Sequence, residues 1–269
     1  MPMFADSYRR FDRALVHAKA FKEIWESLVK PESFTTRIEL NADGTGGIAK
    51  AIHPKFPEND MAIELGEMFY QLRASLDCAV YKAAVLAEGI DPPSNENRVE
   101  FPICSDAGKF QRNPVNDAPF PKDLRDWLEL IQPYNVAKTA NSDIANMGRF
   151  LEILHDCARK DRHRRLHFVA AVPSFVQYAF SPDFAAAIRG VRIIGDVNFF
   201  EDKDEFLAFD LIPHPAGRYQ GEFKLETAVM TEVAFENIRP LMPGESGYAL
   251  ARILESVESI LDYFEGFFA

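Results

Sequence analysis

The chain predicts an α+β fold in which four long amphipathic helices form a bundle-like layer packed on a mostly antiparallel β-sheet. All of it lies in a single integrated domain spanning the 269 residues. Three observations predict this. Apolar residues recur three or four apart over about 7–30, 60–88, 142–163 and 247–268, the period of a one-sided helix. After Leu166 the period changes to two, the alternation of half-buried strands. Helical and strand segments are also segregated along the chain, where parallel βαβ units would alternate them.

In the first helix Phe11, Leu15, Ala18, Phe21, Trp25 and Leu28 carry the stripe, with Asp6 or Ser7 as cap and Pro31 as stop. Residues 34–53 read as a hairpin. Phe34, Thr36, Ile38 and Leu40 alternate before Asn41-Ala42-Asp43-Gly44, and Ile48 to Ile52 return. The following Gly44-Thr45-Gly46-Gly47 run is a turn and not a phosphate loop, because no Lys-Ser/Thr pair follows it. The 60–88 helix has the most regular stripe, Leu65, Phe69, Leu72, Leu76, Ala79 and Ala83, and should be central. Residues 89–121 carry six prolines and no sustained period, so they form a long connection that either wraps the surface or acts as a lid. Helical spacing resumes over 122–131 and 142–163. Strands are expected between 167 and 236, near 167–180, 188–200, 205–212 and 220–236. Leu250, Leu254, Val257, Leu261, Phe264 and Phe268 mark the closing helix.

Composition bounds the function. With 47% hydrophobic and 26% charged residues and twenty-three Phe, the chain can fill a large core without cross-links. Three widely spaced cysteines, Cys78, Cys104 and Cys157, argue against a disulfide framework or a Cys-x-x-Cys metal site. The N-terminus lacks a basic region followed by an apolar run, and no stretch of about 18 apolar residues occurs, so the expectation is a cytoplasmic protein without a membrane partner. A net charge of −11 disfavours contact with nucleic acid through the whole surface, so any such contact must be local.

One local exception to that charge is Arg159-Lys160-Asp161-Arg162-His163-Arg164-Arg165-Leu166-His167, which gathers five cations and two histidines. Three readings stay open for it. As a helix end, it sets cations against the negative end of the macrodipole. As a metal site, His163 and His167 have i,i+4 spacing, but no Glu lies between them and Arg164 and Arg165 repel a cation, so no metal is expected. As a phosphodiester site, guanidinium groups grip phosphate while an imidazole moves protons near neutral pH. In that reading His167, His163 and Arg162 are the catalytic candidates, and Arg164, Arg159 and Arg73 bind phosphate. No cofactor is called for. On the 60–88 helix Tyr70, Arg73, Asp77 and Tyr81 share one stripe, where Arg73 and Asp77 form an i,i+4 ion pair or hold Arg73 ready for a ligand. Asp77, Asp161 and Tyr81 would orient their neighbours. Glu152, Asp156, Arg159 and His163 share a face of the 142–163 helix that reads as solvated and salt-bridged.

Leu72-Arg73-Ala74-Ser75-Leu76-Asp77, Phe101-Pro102-Ile103, Gln132-Pro133-Tyr134 and Asp161-Arg162-His163-Arg164-Arg165-Leu166-His167 together resemble a family of uncharacterised bacterial proteins over roughly residues 60–170. Those proteins carry Leu-Arg-Ser-Ala-Leu-Asp-His, Phe-Pro-Ile, Gln-Pro-Tyr and Asp-Lys-His-Arg-x-Leu-His in the same order. Their first block is similar to the Arg-x4-6-His motif of HEPN-like helical nucleases. This distant resemblance implies a dimeric helical bundle that cleaves RNA without metal, in a bacterial defence or toxin system. The chain departs from the pattern because Cys78 stands at the histidine position, leaving Arg162 and His167 as the intact Arg-x4-His spacing. Two functions follow as expectations. One is an RNA-directed nuclease or phosphate-binding protein. The other is a noncatalytic interaction protein, with a partner protein or a second copy, in which Arg73, Asp77, Asp161 and His163 form a buried polar network.

Overall fold

The computed structural model describes residues 2–28, 35–52, 58–94, 96–163, 168–180, 182–194, 205–212, 225–235 and 246–269, with side chains undescribed for 28, 35–36, 51–52, 58–59, 160–163, 168–180, 182–184, 206, 225–235 and 246–249. It is a mixed α and β structure in which every described strand pairing is antiparallel. The contacts fall into two compact units. Met1–Lys22, Asn59–His167 and Gly247–Ala269 make the first, and Glu23–Glu58 with Phe168–Ser246 the second.

The first unit is helical. It contains most of α1 (Ala5–Leu28), α2 (Glu58–Glu88), α3 (Ala107–Gln111), α4 (Lys122–Leu130), α5 (Ser142–His163) and α7 (Ser246–Phe268). The α2 stripe that the spacing predicts, Leu65, Phe69, Leu72, Leu76, Ala79 and Ala83, is wholly buried, with Met61, Met68, Val80 and Ala84 beside it. Such a broad apolar surface on 31 residues explains why this helix sits inside its unit. On α1 the buried line is Phe4, Ser7, Phe11, Ala14 and Phe21, whereas Leu15 is exposed. Phe11 and Phe21 of the expected stripe are buried, Ala18 and Trp25 half-buried, and Ala14 takes the inward place expected of Leu15. At the helix start the backbone N–H groups of Met3 and Phe4 donate to Glu265 of α7 at 2.8 and 3.0 Å. Phe4 then packs against Phe264 and Phe268, and Trp127 of α4 stacks on Tyr263 at 3.7 Å.

The aperiodic stretch 89–121 is an anchored strap. It forms only short helical turns, including 3-10 turns at Glu96–Arg98 and Pro114–Asp117, yet it buries Val99, Phe101, Cys104, Phe110, Val115, Ala118 and Phe120. Asp106 caps α3 by accepting from the Lys109 N–H, and Asn113 caps the next turn by accepting from the Val115 N–H. These caps replace the ladder bonds that an irregular chain lacks.

The second unit holds the strands. β1 (Thr35–Leu40), β2 (Gly46–Ile52), β5 (Glu205–Leu211) and β4 (Ile188–Ile193) form one sheet in the order β1-β2-β5-β4. β3 (Phe168–Phe180) pairs with β6 (Leu225–Phe235) in a second ladder, and α6 (Pro182–Ala187) precedes β4. β5 shows the expected alternation, with Leu207, Phe209 and Leu211 buried. The β1–β2 connection is a turn. The Gly44 N–H donates to the Asn41 carbonyl at 3.0 Å, Gly44 adopts φ 67°, and Asp43 accepts from Thr45 N–H and Oγ1.

Gly46 serves a close approach between strands. A Cβ there would lie 2.4 Å from the Phe209 carbonyl oxygen. Gly46→Ala must push β2 away from β5, and a loss of about 1–3 kcal/mol is expected, typical of overpacking. A lowered urea midpoint for that variant, with the wild-type value retained at exposed Ala42→Gly, checks it.

Candidate functional site

Arg73 and Asp77 lie one helical turn apart on α2, and the strap passes directly over them. Arg73 Nη2 stands 3.0 Å from Asp77 Oδ1 and donates to the Phe101 carbonyl at 2.6 Å. Asp77 Oδ1 in turn accepts from the Phe101 backbone N–H at 2.9 Å. One i,i+4 pair thus satisfies both polar groups of a single residue of the strap, as a neighbouring strand would. Arg73 is buried, and its Nη1 has no hydrogen-bond partner among the described residues.

Gln132 holds the strap further along, at Pro102 and Cys104. Its side chain is fully buried, donates to the carbonyls of Pro102 at 3.0 Å and Leu128 at 2.8 Å, and accepts from the Cys104 N–H at 2.8 Å. Every hydrogen-bonding site of a buried amide group that these neighbours can reach is used, which is what burial of an amide requires. The Gln132 turn is held from the other side by α5. A Cβ on Gly148 would come within 2.8 Å of Val136 Cγ2 and 3.2 Å of the Gln132 carbonyl, so only glycine lets α5 sit so close. Three of the sequence blocks, Leu72–Asp77, Phe101–Ile103 and Gln132–Tyr134, therefore meet in one polar clamp.

Electrostatics in the clamp are set by burial. Desolvation pushes the Asp77 carboxyl above its usual value, and the Arg73 charge and the Phe101 N–H pull it only partly back. Geometry alone would suggest a lowered value from a 3.0 Å ion pair, but the loss of water around the carboxylate outweighs it. Cys104 is likewise raised, chiefly by burial.

The other predicted site residues lie elsewhere. The Tyr81 hydroxyl donates to Asp91 at 3.3 Å and does not join the clamp. Its phenol is raised first by desolvation and then by the Asp91 charge. Arg159 is exposed on α5, 3.6 Å from Asp156, in keeping with a solvated ionic face. Asp161, Arg162 and His163 fall in the last turn of α5, and their side chains lie outside the described residues. Arg164 and His167 lie outside them altogether. Cys78 is a free, half-buried thiol raised by burial against the opposing pull of Arg10. Among the described residues no group of His, Cys, Asp and Glu is placed to hold a metal ion, and no helix is long and apolar enough to cross a membrane.

The residues that sequence reasoning left out of the site are Phe101 and Gln132. Both lie inside the sequence blocks Phe101–Ile103 and Gln132–Tyr134, but neither carries a charge to mark it. No family model, curated protein or solved structure matches the chain.

Proposed function

We propose that this is a noncatalytic interaction protein in which the Arg73, Asp77 and Gln132 blocks form a structural polar network. The observation that carries the reading is the clamp, which commits Arg73 and Asp77 to the backbone of Phe101. A catalytic arginine needs its guanidinium turned toward a substrate, and Arg73 Nη2 is already occupied inside the protein. The neutral Cys78 thiol supplies no proton shuttle where the resembling family has histidine. The partner in this reading is a protein or a phosphate-bearing ligand met in the cytoplasm.

A second reading, a HEPN-like RNA nuclease centred on Arg162 and His167, is supported by the cationic run standing in a chain of net charge −11. One experiment separates the two. The purified protein is incubated with single-stranded and structured RNA in excess chelator, and fragments are followed over time. The interaction reading expects no cleavage above background. Cleavage by the wild type that disappears in His167→Ala would replace it with the nuclease.

A further inference from the structure

We propose that the face of α1 carrying Arg9, Arg10 and Arg13 is a binding site for ligands that present two or more linked phosphate groups. This goes beyond the reading above and is independent of the clamp. On α1, residues 6, 10, 13 and 17 are three or four apart, and Arg9 stands three after Asp6 and four before Arg13, so all five lie on one side of the helix. Opposite them on α2 stand Glu64, Gln71 and Cys78, each seven residues from the next. The two helices thus meet along a polar seam. His17 Nδ1 lies 2.8 Å from Glu64 Oε2 at one end, and Arg10 Nη1 donates to Gln71 Oε1 at 3.1 Å in the middle.

Toward the start of α1 the seam opens into a groove of about 600 Å³ lined by Asp6, Arg9, Arg10, Arg13, Gln71 and Cys78. Three guanidinium groups face one carboxylate there, in a chain that is otherwise strongly acidic. The existing partners leave that positive charge largely uncompensated. Arg9 and Asp6 are 3.1 Å apart but mostly exposed on both sides, and such pairs are weak. Arg10 is held by Gln71, a residue only 9% exposed, so its direction is fixed by a neutral amide that takes away none of its charge. Arg13 has no ion pair among the described residues. Cys78, which also lines the groove, stays neutral, because burial raises its thiol.

Guanidinium forks match phosphate oxygens in pairs, and two of them one turn apart can grip adjacent phosphate groups, whereas a single carboxylate engages only one. A polyphosphate and a polynucleotide backbone both present this chemistry. The test is calorimetric titration with pyrophosphate and, separately, with a short single-stranded RNA at low ionic strength. Binding of at least one probe is expected, weakening steeply as salt is added. Arg13→Gln and Arg10→Gln should each reduce affinity about tenfold, and the same change at exposed Arg149 should leave it intact. Tighter binding of RNA would identify a polynucleotide, and tighter binding of pyrophosphate a small ligand; either supports the site. Arg13 is exposed, so Arg13→Glu keeps the fold while reversing the charge, and a circular dichroism melt verifies that. The proposal is overturned if neither probe binds at millimolar concentration, or if Arg13→Gln and Arg13→Glu bind as the wild type does.

Discussion

Asp77→Ala is expected to lower the unfolding free energy by about 3 kcal/mol, because it leaves the buried Arg73 guanidinium without its counter-charge. For a chain of this size that corresponds to a thermal midpoint lower by roughly 6–12 °C. The loss has two parts. The Phe101 N–H loses its acceptor, and the Arg73 guanidinium, which already has one unpartnered Nη1 among the described residues, loses its counter-charge. Asp77→Asn keeps an acceptor for Phe101 and supplies the neutral group that burial favours, so it should lose much less than alanine. A transition unchanged by Asp77→Ala would remove the clamp from any account of stability.

The same carboxyl gives a pH signature with a definite sign. Its pKa is raised in the folded chain, so the folded state holds that proton more tightly than the unfolded state does. The stability contributed by protonation is fully present below the ordinary Asp value. It is lost as pH rises through the folded value. Wild type measured against Asp77→Asn should therefore lose relative stability across that window and run parallel above it. Denaturant melts of both proteins from pH 3 to pH 8 check this, and a difference that grows in the opposite direction would show that the Arg73 charge outweighs burial.

Much of the architecture was legible because hydrophobic period is a direct record of one-sided burial. Leu65, Phe69, Leu72 and Leu76 announced α2, and Leu207, Phe209 and Leu211 announced β5, since each set faces one core at one spacing. On α1 spacing alone does not separate Ala14 from Leu15 as the inward residue after Phe11, because partners such as Glu265 lie more than 250 residues away in sequence. The strap was illegible for a related reason. Val99, Phe101, Cys104, Phe110 and Val115 are buried at irregular intervals, and their backbone is satisfied by side chains of α2 and Gln132 instead of by a repeating ladder. The i,i+4 relation of Arg73 and Asp77 could be read from spacing, whereas their common target, Phe101, could not. The denser run at Arg159–His167 dominates the charge pattern and overshadows the arginines of α1. Their signal was nonetheless present as three cations within five residues of one helix, Arg9, Arg10 and Arg13.

Gln132→Ala should be nearly as damaging as Asp77→Ala, although no charge is removed. The substitution strips partners from the Cys104 N–H and from the Pro102 and Leu128 carbonyls, all in a fully buried site. Each buried group left without a partner costs about 1–3 kcal/mol, reduced where a second acceptor or water can reach it, so a total of roughly 3 kcal/mol is expected. Gln132→Glu tests geometry against charge. It retains the acceptor for Cys104 but presents a carboxylate to two carbonyl oxygens, and it should therefore be no better tolerated than alanine. The informative measurement is the double variant. Asp77 and Gln132 grip the strap at Phe101 and at Pro102–Cys104, so once one grip is released the segment can loosen and the second contributes less. The combined loss in urea should then fall short of the sum of the single losses by about 1 kcal/mol or more. Amide exchange should also quicken across residues 99–104 in either single variant. Strict additivity, with exchange confined to the mutated end, would mean that the two grips act on separate elements and that the three blocks do not form one network.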